Sequence, residues 1–216
     1  MMQKTALLVG TTGLVGSHLL LQLLEDPNYK RVRSVSRRPS GVKNPKLEEV
    51  IIPLDELEKV KDKIIADHVF CCLGTTIGKA GSRAAFEKVD YKFPLKLAEL
   101  SKSNNTSHFL IVTAMGASKN SMFFYNKVKG KVEGAIGQIG FDHYTIIRPS
   151  LILGERKEKR WMEAVSKKVM EGLGFLMVGP LKKIKAVQAR DIAESMRRAA
   201  MLTDKKERIV PSNEIG

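Results

Sequence analysis

The chain opens on a short apolar run, Leu7-Leu8-Val9, that stops at Gly10, and a helix-length apolar run from Leu14 to Leu24 follows almost at once. A short apolar run bounded by glycine reads as a buried strand, and the longer leucine-rich stretch reads as a helix. The alternation continues down the chain. Strands are predicted over 31–36, 48–52 (stopped by Pro53), 67–72, 107–113 and 142–148. Helical patterns lie between them: 55–63, with Leu57, Val60 and Ile64 on one side, 86–101, broken near Pro94, and 122–139. Strands and helices alternating in this order need right-handed crossovers, which predicts an α/β fold with a doubly wound parallel β-sheet.

Beyond Gly154 the pattern loosens. A helix is expected over 158–171, carrying Trp161, Met162, Val165 and Val169, then a loop-rich stretch, a strand over 184–187 and a last helix over 191–202. The 216 residues are enough for one sizeable core. Residues 1–216 are therefore expected to form one domain, of which about 154–216 is a short C-terminal cap on the substrate side.

Strand, glycine turn and helix in that order are the context in which glycines hold a phosphate. Gly10 permits the tight turn, Gly13 lets a diphosphate approach the backbone, and Gly16 lets helix and strand pack closely. The whole turn, Gly10, Thr11, Thr12, Gly13, Leu14, Val15 and Gly16, is thus a candidate cofactor-binding segment. The helix start adds free N–H groups and a positive dipole end. After the second predicted strand an NAD-binding chain usually places a carboxylate for the adenosine ribose. Here that place holds Ser34, Ser36, Arg37 and Arg38. Two guanidiniums there suit a 2′-phosphate, so NADP(H) is expected over NAD(H). Asp55, just past the third strand, either reaches the adenine edge or caps its own helix. The fourth strand runs into Cys72, Leu73, Gly74 and Thr75, where a strand's carboxyl end meets the ligand crevice.

Net charge is +14, which raises a nucleic-acid reading. The basic residues are spread along the chain, however, and only 6% of residues are aromatic, so no stacking surface is interleaved with them. A basic surface facing anionic ligands accounts for the charge, and nucleic acid is not the expected partner. The four histidines are scattered without metal-ligand spacing, so no metal is expected. No apolar run reaches the length of a membrane span. The only cysteines, Cys71 and Cys72, are adjacent and cannot staple distant segments, which fits a reducing, cytoplasmic setting.

Chemistry is expected from the 122–139 helix. Tyr125 and Lys129 lie one turn apart on one face. An ammonium beside a phenol lowers the phenol's pKa, and such a tyrosine exchanges a proton with a carbonyl or alcohol oxygen during hydride transfer. Lys129 is also placed to hold ribose hydroxyls, and Thr113, ending the fifth strand, to fix the substrate oxygen.

These features resemble the short-chain dehydrogenase/reductase superfamily: the early GxxGxxG, the Tyr125-x-x-x-Lys129 pair and the strand-end hydroxyl. More narrowly, FCCLGTTIGKAG, Val89-Asp90, YNKVKGKVE and RPSLILGER resemble the atypical branch that contains the human Tat-interactive protein. The resemblance implies an NADP-binding Rossmann fold with an oxidoreductase-type site. It implies Thr113 in place of the usual serine, Tyr125 as acid/base and Lys129 as its partner. It also implies that Arg148, Pro149 and Ser150 pass the nicotinamide. Two roles follow: a reductase or dehydrogenase of an unidentified small carbonyl or alcohol, or an NADP(H)-binding regulator acting through protein partners. The helices that carry Phe86 and Tyr125 would support a homodimer.

Overall fold

In the computed structural model, which describes residues 3–154 and 186–216, the opening apolar run is β1 (Lys4–Val9) and the leucine-rich run is α1 (Leu14–Glu25). Then come β2 (Tyr29–Ser36), β3 (Leu47–Ile51), a 3-10 helix (Leu54–Lys63), β4 (His68–Cys71) and the short α2 (Ile77–Ala80). The predicted helix over 86–101 resolves into α3 (Arg83–Glu87), a π-helical turn (Lys88–Lys92) and α4 (Phe93–Ser103). Pro94 stands in the first turn of α4, where a missing N–H costs nothing, so the break falls just before it. β5 (His108–Val112), α5 (Phe124–Ile139) and β6 (His143–Arg148) complete the predicted alternation.

The sheet is parallel throughout, in the order β3-β2-β1-β4-β5-β6-β9, where β9 is Glu207–Pro211. Connections reverse direction between β1 and β4, so a crevice opens outside the carboxyl ends of those strands. Successive side chains serve opposite faces, as the two-residue period requires. Ala6, Leu8, Phe70 and Leu110 pack with α1 and with α6 (Ala189–Ala199). Leu7, Val9, Val69, Phe109 and Ile111 pack with α4 and α5 on the other side.

Two expectations change. Asp55 does not cap its helix: Pro53 is the N-cap and Asp55 sits within the first 3-10 turn. Of the 154–216 segment expected as a cap, the part described after 186 lies in the main body. β8 (Val187–Gln188) pairs with β7 (Ile152–Leu153), α6 packs on α1, and β9 joins the edge of the sheet beside β6. The reason is apolar surface: Ile192, Ala193 and Met196 sit at helical spacing and finish the face that α1 leaves open. The helix expected over 158–171, with Trp161, lies outside the described residues.

Candidate active site

The glycine turn is built by close approach. Gly10 has φ of +98°, and a β-carbon there would lie 2.6 Å from the Cys72 carbonyl oxygen. One on Gly16 would lie 2.1 Å from the Gly10 carbonyl oxygen. Gly13 is the N-cap of α1 and supplies no side-chain cap, and no acidic residue stands in the first turn. Thr12, Gly13 and Leu14 are exposed, whereas Val15 and Gly16 are buried. The buried Thr11 hydroxyl has no partner in the protein. An uncapped helix start beside a side-chain-free backbone and an unsatisfied hydroxyl fits a diphosphate.

On the next strand over, Arg37 and Arg38 follow the end of β2 and are exposed. Arg31 and Arg33 are held by Glu48 at 3.9 and 2.9 Å, but among the described residues neither Arg37 nor Arg38 has a carboxylate partner. Ser36 donates its hydroxyl to the Arg38 carbonyl at 2.6 Å and shapes this turn. Asp55 is drawn instead to Lys88, at 2.6 Å.

The segment after β4 joins the turn to α5. The Cys72 N–H donates to the Val9 carbonyl at 2.8 Å, and its sulfur faces Met196 at 3.7 Å. Burial pushes the Cys71 thiol up to about 12 and the Cys72 thiol well above its ordinary value, so neither is a ready nucleophile. Leu73 packs into the α4/α5 side of the core, and Gly74 is exposed. The Thr75 N–H donates to Asp90 at 3.0 Å. The other oxygen of Asp90 lies 2.7 Å from the Lys129 ammonium, and both side chains are buried. Tyr125 packs against Phe86, with ring centroids 5.5 Å apart. Its phenol is raised, chiefly by burial; Lys129 pulls it down and Asp90 pushes it back. The lowered phenol expected from the Tyr-Lys spacing is thus corrected: burial outweighs the pull of Lys129.

Thr113 and Arg148 meet on α5. The buried Thr113 hydroxyl donates to Glu133 at 2.6 Å, and Arg148 clasps the same carboxylate with two N–H groups at 3.1 and 2.7 Å. The Thr113 proton is therefore engaged, contrary to the expectation that it stands ready for a substrate oxygen. The Pro149 carbonyl accepts from the Met115 N–H at 2.8 Å, tying the loop after β5 to the end of β6. Ser150 meets the Ser212 hydroxyl just beyond β9. The carboxyl edge thus gathers the glycine turn, residues 72–75, Tyr125, Lys129 and residues 148–150. Asp90 and Glu133 were missed as site residues by sequence reasoning. Glu133, one turn beyond Lys129, carried a usable signal, whereas Asp90 sits on another element.

A family model described as NAD(P)H-binding matches residues 10–172. Rat HTATIP2 is 33% identical over 177 residues, which is 80% of this chain and 73% of that protein. The mitochondrial protein FMP52 of Candida albicans is 35% identical over 156 residues, 70% of this chain and 68% of its own. Among solved structures, MoeE5 in complex with UDP-glucose and NAD has a TM-score of 0.72 at 13% identity, covering 96% of this chain and 75% of that one. A short chain dehydrogenase family protein of Francisella tularensis has a TM-score of 0.70 at 12% identity, covering 99% of each. The cytoplasmic expectation is overturned, because the fungal relatives from Candida albicans, Aspergillus terreus and Emericella nidulans are named mitochondrial. Two adjacent cysteines that form no disulfide do not identify a compartment. Among the described residues, no helix is long and apolar enough to cross a membrane and no cluster of His, Cys, Asp or Glu is suited to a metal.

Proposed function

Because the chain belongs to the NAD(P)H-binding family, as an atypical short-chain dehydrogenase/reductase of the HTATIP2 branch, we propose that it is an NADP(H)-dependent oxidoreductase of a small carbonyl or alcohol. The observation that carries this reading is the contact between the uncapped glycine turn and the 72–75 segment, which leads directly to Lys129. In this reading residues 10–16 take the diphosphate and the exposed Arg37 and Arg38 take the 2′-phosphate. Gly74 and Thr75 line the path to the nicotinamide, and residues 148–150 flank it. When bound, the nicotinamide supplies or accepts the hydride. Tyr125 moves the proton at the substrate oxygen, and Lys129 holds the ribose hydroxyls. Thr113, through Glu133, holds the wall of the pocket with Arg148.

Calorimetric titration with NADPH and NADH, on the intact protein and on Arg37→Ala/Arg38→Ala, tests the cofactor assignment. Tighter binding of NADPH is expected, falling by about tenfold or more in the double variant, while NADH binding changes little. Folded protein that binds neither nucleotide would overturn the reading. In a screen of carbonyl substrates, Tyr125→Phe is expected to lower turnover by about 10²–10⁴-fold.

A further inference from the structure

Most of the cations around Tyr125 already have carboxylate partners. Lys129 contacts Asp90 at 2.7 Å, Lys131 faces Glu87 at 3.9 Å, and Arg148 is clasped by Glu133 at 2.7 Å. Lys127 is exposed and two residues from Tyr125, a spacing that puts it on another side of α5. Arg83, at the start of α3, differs from all of these. It is exposed and has no carboxylate partner among the described residues, yet its guanidinium is held over the Phe124 ring at 5.1 Å.

Aromatic packing fixes where that guanidinium stands. Phe86, fully buried on α3, has its ring centroid 5.7 Å from that of Phe124 and 5.5 Å from that of Tyr125. Arg83 comes three residues before Phe86 and shares its helix face, the face turned to the first turn of α5. The Ser82 hydroxyl accepts the Ala85 N–H at 3.1 Å and sets the start of α3. α3 and α5 both begin beyond the carboxyl ends of the strands that precede them, so Arg83 is nearer the crevice than Phe86.

We propose that Arg83 binds the substrate and that the substrate is a carbonyl compound bearing a carboxylate, an oxo acid, or the corresponding hydroxy acid. The proposal rests on the oxidoreductase reading above. A cation held by a ring is placed without being neutralised, so its charge remains for an anion. A carboxylate is the singly charged, planar partner that a guanidinium fork matches with two parallel hydrogen bonds. The site needs such a second anchor, because the Thr113 hydroxyl spends its proton on Glu133 at 2.6 Å and has none for a substrate oxygen. Tyr125 at the carbonyl and Arg83 at the carboxylate fix the substrate at two points, which sets its orientation. The carboxylate takes no part in bond making. In the reducing direction the carbonyl carbon gains a hydride from NADPH and its oxygen gains the Tyr125 proton, which water restores. The products are the hydroxy acid and NADP+.

The test uses the full chain with phenylglyoxylate and levulinate, each beside its methyl ester, so that the negative charge is what distinguishes the members of a pair. NADPH oxidation gives kcat/KM, and calorimetry gives the affinity of each compound for protein saturated with NADP+. For at least one pair the acid is expected to exceed its ester by about tenfold or more in one of these readouts. Arg83→Gln, a change between two good helix formers at an exposed position, is expected to remove that preference by weakening the acid alone. Arg83→Lys is expected to keep part of it, since the charge stays and the fork is lost. Three results overturn the proposal: acid and ester handled alike, a preference that survives in Arg83→Gln, or no response to either acid from protein that binds NADPH. Protein that binds neither NADPH nor NADH brings down the oxidoreductase reading and this proposal with it, and the cofactor titration shows that failure before any acid is added.

Discussion

Gly16 and Gly134 are both helical glycines, yet the structure gives them opposite roles. A β-carbon on Gly16 collides with the Gly10 carbonyl, whereas one on Gly134 of α5 meets nothing within 4 Å. Gly16→Ala must push α1 off the turn and is expected to cost about 1–3 kcal/mol and to weaken NADPH binding. Gly134→Ala removes only freedom of the unfolded chain and is expected to stabilise by about 0.4–1 kcal/mol with binding unchanged. Urea midpoints and nucleotide titrations on both variants check the pair; equal destabilisation would contradict the geometry. Glu133→Gln strips the shared acceptor of its charge and is expected to cost about 1–3 kcal/mol, read in the same urea series. The close-packed glycine turn was legible from the sequence because its glycines recur at a fixed local spacing, and the Arg pair and Tyr125-Lys129 could be singled out as candidates on the same ground. The sign of the effect on Tyr125 was not. It depends chiefly on burial, to which Asp90 adds from another element, and no periodicity along α5 reports either.

At the scale of elements, β1, β2, β4, β5 and β6 were readable because their apolar residues are buried on both faces, and half-buried β3 at the sheet edge was readable from its run up to Pro53. β9 was not. Its burial alternates between exposed and half-buried, it ends at Pro211, and it lies at the edge of the sheet, so it carries no apolar run to read. The last helix was anticipated, but its place was not, since an amphipathic pattern shows that a face is covered without showing by what. Here that face belongs to α1. Met196, fully buried between α6 and the sheet, is the centre of the contact. Met196→Ala is expected to cost about 2–5 kcal/mol and, because α6 braces the helix whose start forms the glycine turn, to lower NADPH affinity as well. Thermal denaturation with and without nucleotide checks both effects.

Across the whole molecule, the amino edge of the sheet has its own chemistry. His68, His108 and His143 stand side by side on β4, β5 and β6, with neighbouring rings 5.8 and 5.7 Å apart. The Lys4 ammonium donates to His68 Nε2 at 2.8 Å, which assigns the ring proton to Nδ1, donating to the Tyr29 oxygen at 2.7 Å. Burial first, then the neighbouring cations, hold His68 down to about 3 and His108 down to about 4. Unfolded histidines titrate near about 6.5, so the folded state favours the neutral rings. Their contribution to stability is full above about pH 6.5 and is lost as pH falls through that value toward the folded pKa values. The urea midpoint is therefore expected to decline between about pH 6.5 and about 4, with a shallower slope in His108→Gln. A flat midpoint across that interval would refute it. The bracing of α1 by α6 has one more consequence, for synthesis. Gln22 reaches the Arg190 carbonyl at 3.1 Å and Asp26 holds Arg197 at 2.9 Å, so the first helix is secured by nearly the last. A nascent chain leaving the ribosome presents the greasy side of α1 long before α6 exists to cover it. The helix that starts at the glycine turn is made well before the helix that covers it, and in that interval α1 is a client for chaperones.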